Sequence, residues 1–157
     1  MNRLDLSDDD LLVLQKCIND GTEPPIELAK KLGLKRLVIM PDFFASGKAL
    51  IDFVKCGISI EVGPHEREEN INEVLELIKN FAENKTLNEN IEIFEIFDVI
   101  NKEEPEITIN NFEDIKKGDI IAIGNTNQIA DFDFIPVLVN EEAYEGILCL
   151  ACRKVSL

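Results

Sequence analysis

The chain has 157 residues and a formal net charge of −15, which argues against binding to nucleic acid or to an anionic membrane surface. Apolar residues make up 45% of the sequence, enough for the core of one domain or of two small lobes. No apolar run approaches the roughly 20 residues of a membrane span, and the first residues lack the apolar stretch of a signal peptide. Four cysteines without an export signal favour free thiols, so we expect a soluble, cytoplasmic protein.

The first forty residues carry two helix patterns and one strand pattern. Ser7 is followed by three aspartates, which is typical of a helix start, and leucines at helical spacing extend this pattern to a stop at Gly21. A proline pair opens a second helix over residues 26–32, which Gly33 ends. The wholly apolar run 37–40 predicts a strand that is covered on both faces, as in an α/β sheet.

Residues 57–62 have the pattern of a short strand that delivers a carboxylate to a turn. Three β-branched side chains favour extended backbone, and Gly63-Pro64 ends the strand. Glu61 is either a paired structural charge or a group placed for chemistry, and burial statistics favour the structural charge by about three to one. His65 is the only histidine of the chain, and a lone imidazole favours a solvated loop residue over a metal ligand by about five to one.

A long helix follows, and the hydrophobic period then changes. The helix pattern covers residues 66–85, with one apolar stripe made of Ile71, Val74, Leu75, Ile78, Phe81 and Ala82. The alternation of strands and helices predicts a parallel sheet with helices against it. After residue 90 the pattern becomes that of strands at 91–100, 120–124, 135–139 and 146–152. We therefore predict an α/β lobe over residues 1–87 and a β-rich domain over residues 88–157.

Cys149 and Cys152 have the spacing of a redox or metal pair. Residues three apart in an alternating strand point to opposite faces of the sheet. The strand pattern therefore favours two separate buried thiols over a shared site, by about four to one.

Two segments resemble motifs of the aspartoacylase/succinylglutamate desuccinylase family. The stretch Gly57-Ile-Ser-Ile-Glu-Val-Gly-Pro resembles the glutamate motif of that family, and Pro136-Val-Leu-Val-Asn-Glu-Glu-Ala-Tyr resembles its C-terminal V-N-E-x-A-Y segment. Residues 111–119 resemble the turn of its β domain. The resemblance covers most of residues 35–150. It implies a partial carboxypeptidase-like α/β sheet that lacks its N-terminal half, followed by a small β-rich domain.

The resemblance also implies roles for single residues. In the family a zinc ion polarises an amide carbonyl and lowers the pKa of a water molecule. Glu61 matches the glutamate that takes the proton from that water and passes it to the leaving amine. Tyr144 matches the tyrosine that contacts the substrate carboxylate, and Glu141, Asn140 and Gly63 support these two positions.

Other parts of the family's site have no counterpart. The family binds zinc through a His-x-x-Glu pair and a second histidine, all before the motif glutamate, whereas no histidine precedes His65 here. We therefore assign no metal ligand. The family's substrate-binding arginine is also missing between Arg36 and Arg67, and Lys48 is the substitute that we assign to its place.

Two functions of different classes follow from the resemblance. The first is the proton-transfer and substrate-binding half of a zinc-dependent N-acyl amino acid amidohydrolase, which we expect to be inactive as a lone chain. The alternative is a metal-free small-molecule or protein-binding module derived from that family. A sheet cut at an internal strand leaves an apolar edge. We therefore predict a homo-oligomer or a complementing half as partner, with no nucleic acid and no membrane.

Overall fold

The computed structural model describes residues 12–17, 25–41, 56–61, 69–83, 90–141 and 143–156. The chain forms two compact units, Met1–Phe94 and Glu95–Leu157. The first unit contains β1 (Leu12–Cys17), α1 (Pro25–Lys31), β2 (Arg36–Ile39), β3 (Cys56–Glu61) and α2 (Glu69–Ala82). β4 (Glu92–Asn101) begins in the first unit and continues into the second. The predicted boundary between the two domains falls at residues 84–88, which lie outside the described residues.

The second unit consists of strands. After β4 it contains β5 (Glu106–Ile107), β6 (Ile120–Ile123), β7 (Asn127–Ile129), β8 (Ile135–Val137) and β9 (Ile147–Val155). All four strand patterns predicted beyond residue 90 are therefore confirmed. None of the helices in the described ranges is long and apolar enough to cross a membrane.

The sheet of the first unit is mixed. β1 pairs with β2 in parallel, with Leu14 opposite Val38, and with β3 in antiparallel orientation, with Leu12 opposite Glu61. On its other side β2 lies beside the start of β4, where the N–H of Glu92 donates to the carbonyl of Lys35 over 2.9 Å. The sequence predicted that β2 and β3 run parallel in one sheet. That prediction is wrong, because β2 is parallel to β1 whereas β3 is antiparallel to it, so β2 and β3 run in opposite directions.

β1 replaces a predicted helix. Residues 12–17 are extended and form ladders with strands on both sides. The sequence Leu-Val-Leu-Gln-Lys-Cys is short, and a short apolar run fits a helix or a strand equally well by spacing alone. Hydrogen bonds to the two neighbouring strands satisfy backbone N–H and C=O groups on both sides of β1. The free energy gained from this pairing exceeds the weak local preference of these residues for a helix.

α1 ends as predicted, at Gly33. The residue has φ 75°, the left-handed conformation that glycine adopts without steric cost. The N–H of Gly33 donates to the Lys30 carbonyl and the N–H of Leu34 to the Ala29 carbonyl, each over 3.0 Å, which is the Schellman pattern of a helix C-terminus. The turn directs Leu34 back into the core of this unit, whose buried members are Ala29, Leu32, Leu34, Leu37 and Leu77.

α2 does not bury its predicted apolar stripe. Leu77 is its buried side chain within the described part of the helix. Ile71, Leu75, Ile78 and Phe81 are 64%, 48%, 57% and 46% exposed. Leu77 lies two residues from Leu75, roughly 200° around the helix axis. The helix therefore contacts the core of the first unit with a face that is not its most apolar one.

The second unit has its own core between two groups of strands. β4, β9 and β8 are neighbours in that order, and β5, β6 and β7 form a separate antiparallel sheet. The buried side chains of this core are Ile109, Ile115, Ile121, Ala122, Ala130, Phe134, Leu148, Cys149 and Ala151. Lys117-Gly118-Asp119 forms the predicted turn before β6, with φ 98° at Gly118.

Both cysteines of β9 are buried thiols, as predicted. Cys149 and Cys152 are free and have no solvent exposure. Burial raises the pKa of each thiol to about 12, and a charge on Cys149 adds to the shift at Cys152. Because the thiolate is the reactive form of cysteine, these two side chains are inert near neutral pH.

Candidate substrate loop and glutamate strand

The loop between β8 and β9 has an unusual backbone. Leu138 and Asn140 have φ values of 53° and 56°, in the left-handed region, which asparagine tolerates but which is rare for leucine. A leucine in this conformation costs on the order of 1–3 kcal/mol and persists only where its surroundings determine it. Leu138 is buried in spite of this conformation. The loop is thus held in one shape by its neighbours, at the point where the sequence resembles V-N-E-x-A-Y.

Asn111 and Phe112 hold the first half of this loop. The side-chain oxygen of Asn111 accepts a hydrogen bond from the Val139 N–H over 2.9 Å. The N–H of Phe112 donates to the Pro136 carbonyl over 2.8 Å, and Phe112 is itself left-handed, with φ 63°. Two segments that resemble the family in sequence therefore contact each other in the fold.

Lys102 holds both ends of the loop, and no sequence pattern pointed to it. Its N–H donates to the carbonyl of Gly146 over 2.8 Å, and its ammonium donates to the side-chain oxygen of Asn140 over 2.7 Å. Asn140 in turn donates its N–H to the Leu148 carbonyl over 2.8 Å. Lys102 directly follows the last residue of β4 and lies 38 residues from Asn140, so only the fold brings the two together.

Tyr144 lies in a turn inside the loop and is half-buried. Its N–H donates to the carbonyl of Glu141, and its carbonyl accepts from the N–H of Ile147, each over 3.0 Å. Glu141 itself is exposed. The structure therefore places three predicted site residues, Asn140, Glu141 and Tyr144, on one loop that Lys102 closes.

Glu61 belongs to the first unit. It is the last residue of β3 and lies opposite Leu12 of β1. Two other predicted site residues, Lys48 and Gly63, lie outside the described residues, as does His65. Glu61 and Tyr144 belong to different units.

The described residues do not fit the zinc site of the family. No group of three or more histidine, cysteine, aspartate or glutamate side chains that could hold a metal ion occurs among them. Zinc binding in proteins relies on three or four such ligands. We therefore assign no metal-dependent chemical step to the described residues.

A second polar cluster in the second unit is a structural clamp. The carboxylate of Glu104 accepts from the Thr126 hydroxyl over 2.6 Å and from the N–H groups of Asn125 and Thr126 over 3.0 and 3.2 Å. The Thr126 hydroxyl, and then the two N–H groups, lower the pKa of Glu104. A Cβ atom at Gly124 would collide with this carboxylate. The cluster fixes the turn between β6 and β7 and involves none of the predicted site residues.

Solved structures of desuccinylases have a similar fold. The chain matches the succinylglutamate desuccinylase from Vibrio cholerae with a TM-score of 0.66 and 12% identity, over 93% of this chain and 49% of that one. It matches the succinylglutamate desuccinylase from Vibrio parahaemolyticus with a TM-score of 0.61 and 12% identity, over 93% of this chain and 49% of that one. For the succinylglutamate desuccinylase/aspartoacylase from Rhodobacter sphaeroides, the TM-score is 0.62 and the identity is 10%, over 93% of this chain and 54% of that one.

The comparisons confirm the fold that the sequence resemblance implied. The chain spans about half the length of the structures it matches. No protein-family profile and no curated protein matches its sequence. At an identity of 10–12% the likeness concerns the fold alone, because one fold can serve many functions. The chain therefore has the fold of about half of a succinylglutamate desuccinylase/aspartoacylase protein.

Proposed function

We propose that this chain is a desuccinylase/aspartoacylase-like protein that supplies the proton-transfer carboxylate and the substrate loop of an N-acyl amino acid amidohydrolase. The loop that carries Tyr144 supports this proposal most strongly. Its backbone is strained at Leu138 and is held by two hydrogen bonds, one from the Val139 N–H to the Asn111 side chain and one from the Lys102 ammonium to the Asn140 side chain. Strain that the surroundings maintain is concentrated at binding sites, and this strain occurs where the sequence resembles the V-N-E-x-A-Y segment of the family.

Each group has a role that suits its chemistry. The Tyr144 hydroxyl and the Lys102 ammonium bind the carboxylate of the amino acid, since a charged hydrogen bond is roughly twice as strong as a neutral one. An ammonium has three donors, of which Asn140 takes one. In a chain with a net charge of −15, an anionic substrate needs a local cation. Glu61 takes a proton from the attacking water and gives it to the leaving amine.

We further propose that these 157 residues do not hydrolyse substrate by themselves. They contain one histidine, so the pair of histidines in the family's zinc site cannot come from them. Such ligands would belong to other residues, for example those of a complementing polypeptide in the cytoplasm. This part of the proposal is tested by zinc analysis and by hydrolysis of an N-acyl amino acid panel. Stoichiometric zinc together with turnover by the purified chain would contradict it.

Substitution of Tyr144 or Lys102 is expected to weaken ligand binding, which can be measured even if the chain does not hydrolyse the ligand. N-succinylglutamate, titrated into the purified chain and followed by calorimetry or amide chemical shifts, should bind. Tyr144→Phe and Lys102→Met should each weaken binding by roughly 10-fold or more, because each removes a hydrogen bond to a charged group. Lys117→Met, which removes an equal charge from a turn of the same unit, is the control and should change affinity less than about twofold.

The outcome also separates the two classes of function. Binding of N-succinylglutamate that is unaffected by both loop substitutions would remove the loop from the site. Absence of binding to any N-acyl amino acid would favour a protein-binding module of the same fold.

We also propose that α2 contacts a second copy of the chain. Ile71, Leu75, Ile78 and Ala82 are exposed and separated by four, three and four residues, the heptad spacing of a helix–helix seam. The order of these separations is the same from either end of the helix. Two antiparallel copies related by a two-fold axis therefore place Leu75 against Ile78 and Ile71 against Ala82, as an isologous contact requires.

A charge within this seam is expected to abolish self-association. Light scattering of the unaltered chain should give a mass that rises toward a dimer with concentration, whereas Leu75→Glu should stay monomeric. Asn72→Glu adds the same charge to an exposed position of α2 outside the seam and should still associate. A clean monomer of the unaltered chain at high concentration would rule out the second copy.

A further inference from the structure

Cys17 and Cys56 lie at one register position of the first unit. β1 and β3 pair over six consecutive positions, and the last of these sets Cys17 opposite Cys56. Directly opposite residues of an antiparallel pair lie on the same face of the sheet, with Cα atoms about 4.5–5.5 Å apart. A disulfide requires Cα atoms about 4.4–6.8 Å apart. We propose that Cys17 and Cys56 are a site of reversible oxidation, which forms a cross-strand disulfide with oxidised glutathione or a similar small disulfide as the oxidant.

The other two cysteines are excluded from this chemistry. Cys149 and Cys152 have no solvent exposure, and residues three apart in one strand lie on opposite faces of the sheet. Their thiols also stay protonated near neutral pH, since burial raises both pKa values to about 12. The four cysteines of the chain therefore divide into one pair in register and two inert thiols.

The reaction balances in two exchanges. The thiolate of one cysteine attacks a sulfur of oxidised glutathione, the glutathione S–S bond breaks, and one glutathione leaves as a thiolate that takes up a proton. The thiolate of the opposite cysteine then attacks the protein sulfur of the mixed disulfide and expels the second glutathione. Two protein thiols are oxidised, and one oxidised glutathione is reduced to two thiols. An excess of reduced glutathione reverses both steps.

The bond would tie together two strands that are separated along the chain. It joins β1 to β3, the strand whose last residue is Glu61, across the segment that contains α1 and β2. A disulfide that closes a long segment restricts the unfolded chain more than one that closes a short segment. Oxidation is therefore expected to raise the melting temperature by roughly 5–15 °C, and reduction should restore the lower value.

The test is oxidation of the full chain followed by intact-mass and peptide analysis. The reduced chain is incubated with oxidised glutathione near pH 8, and remaining thiols are blocked with N-ethylmaleimide. We expect a product that has lost two hydrogens, has two blocked thiols after denaturation, and yields one linked peptide pair that contains Cys17 and Cys56. A link to Cys149 or Cys152, a disulfide between two chains, or glutathione retained on both Cys17 and Cys56 would each overturn the proposal.

Matched variants separate the pair from the other thiols. Cys17→Ser and Cys56→Ser should each stop at the mixed disulfide, with one glutathione attached and no rise in melting temperature. Cys149→Ala/Cys152→Ala should still lose two hydrogens. If the double variant does not fold, the peptide map of the unaltered chain decides the outcome by itself.

Discussion

Replacement of Leu148 by alanine is expected to lower the free energy of unfolding by about 2–5 kcal/mol. Leu148 has no solvent exposure and packs in the core of the second unit with side chains such as Ile121 and Phe134. The substitution removes the transfer free energy of the buried methyl groups and leaves a cavity that its neighbours fill only in part. Urea denaturation followed by circular dichroism measures the change.

Ile120 is the matched control for this substitution. It lies in β6 beside the buried Ile121 but is 44% exposed, so Ile120→Ala should cost less than about 1 kcal/mol. Equal losses from the two substitutions would mean that the second unit has no core at β9. The backbone carbonyl of Leu148, which accepts from Asn140, remains in the variant. Its folded form should therefore bind N-succinylglutamate within about twofold of the unaltered chain.

The elements that could be predicted are those with strong local signals. The end of α1 follows from Gly33, because the left-handed turn and its two hydrogen bonds involve only residues 29–34. The turn before β6 follows from Gly118 in the same way. The ten residues of β4 are rich in β-branched and aromatic side chains, which favour extended backbone, although polar residues occupy every third position rather than every second one.

The elements that could not be predicted depend on distant partners. β1 is a strand because β2 and β3 pair with it, whereas its six residues alone are compatible with a helix. α2 turns the face that carries Leu77 toward the core of the first unit. The apolar stripe of the helix predicted that a different face would be buried. The spacing of apolar residues along a helix indicates that one face is apolar, and it does not indicate what covers that face.

The same distinction applies to the candidate site. The residues on the loop after β8 were predicted because they are consecutive and resemble a motif. Lys102 was not predicted, because its hydrogen bond to Asn140 joins two residues that are distant in the chain. Lys102 is the cation that we propose for substrate binding, and the assignment of Lys48 stays a prediction because Lys48 lies outside the described residues. Lys48 was assigned from its position before Glu61, whereas Lys102 is the cation that contacts the loop of Tyr144.

Replacement of Glu61 by glutamine is expected to lower kcat/KM for N-succinylglutamate by at least about 100-fold, the usual contribution of a general acid–base group. Glutamine has the shape of glutamate and can keep β3 in register with β1, but its amide cannot accept the proton of the attacking water. The assay requires the chain as purified from its own cells, with any complementing polypeptide and metal retained. Hydrolysis is followed as release of the free amine.

Three further measurements separate proton transfer from binding. The dissociation constant for N-succinylglutamate should change by less than about twofold in Glu61→Gln, because the proposed function assigns binding of the substrate carboxylate to the loop of Tyr144 and not to β3. The residual activity should lose the acidic limb of its pH profile, since that limb reports protonation of the catalytic base. Glu106→Gln, at an exposed position of β5, should leave rate and profile unchanged. An unchanged rate in Glu61→Gln would remove Glu61 from the mechanism, and the strand would then carry a structural charge only.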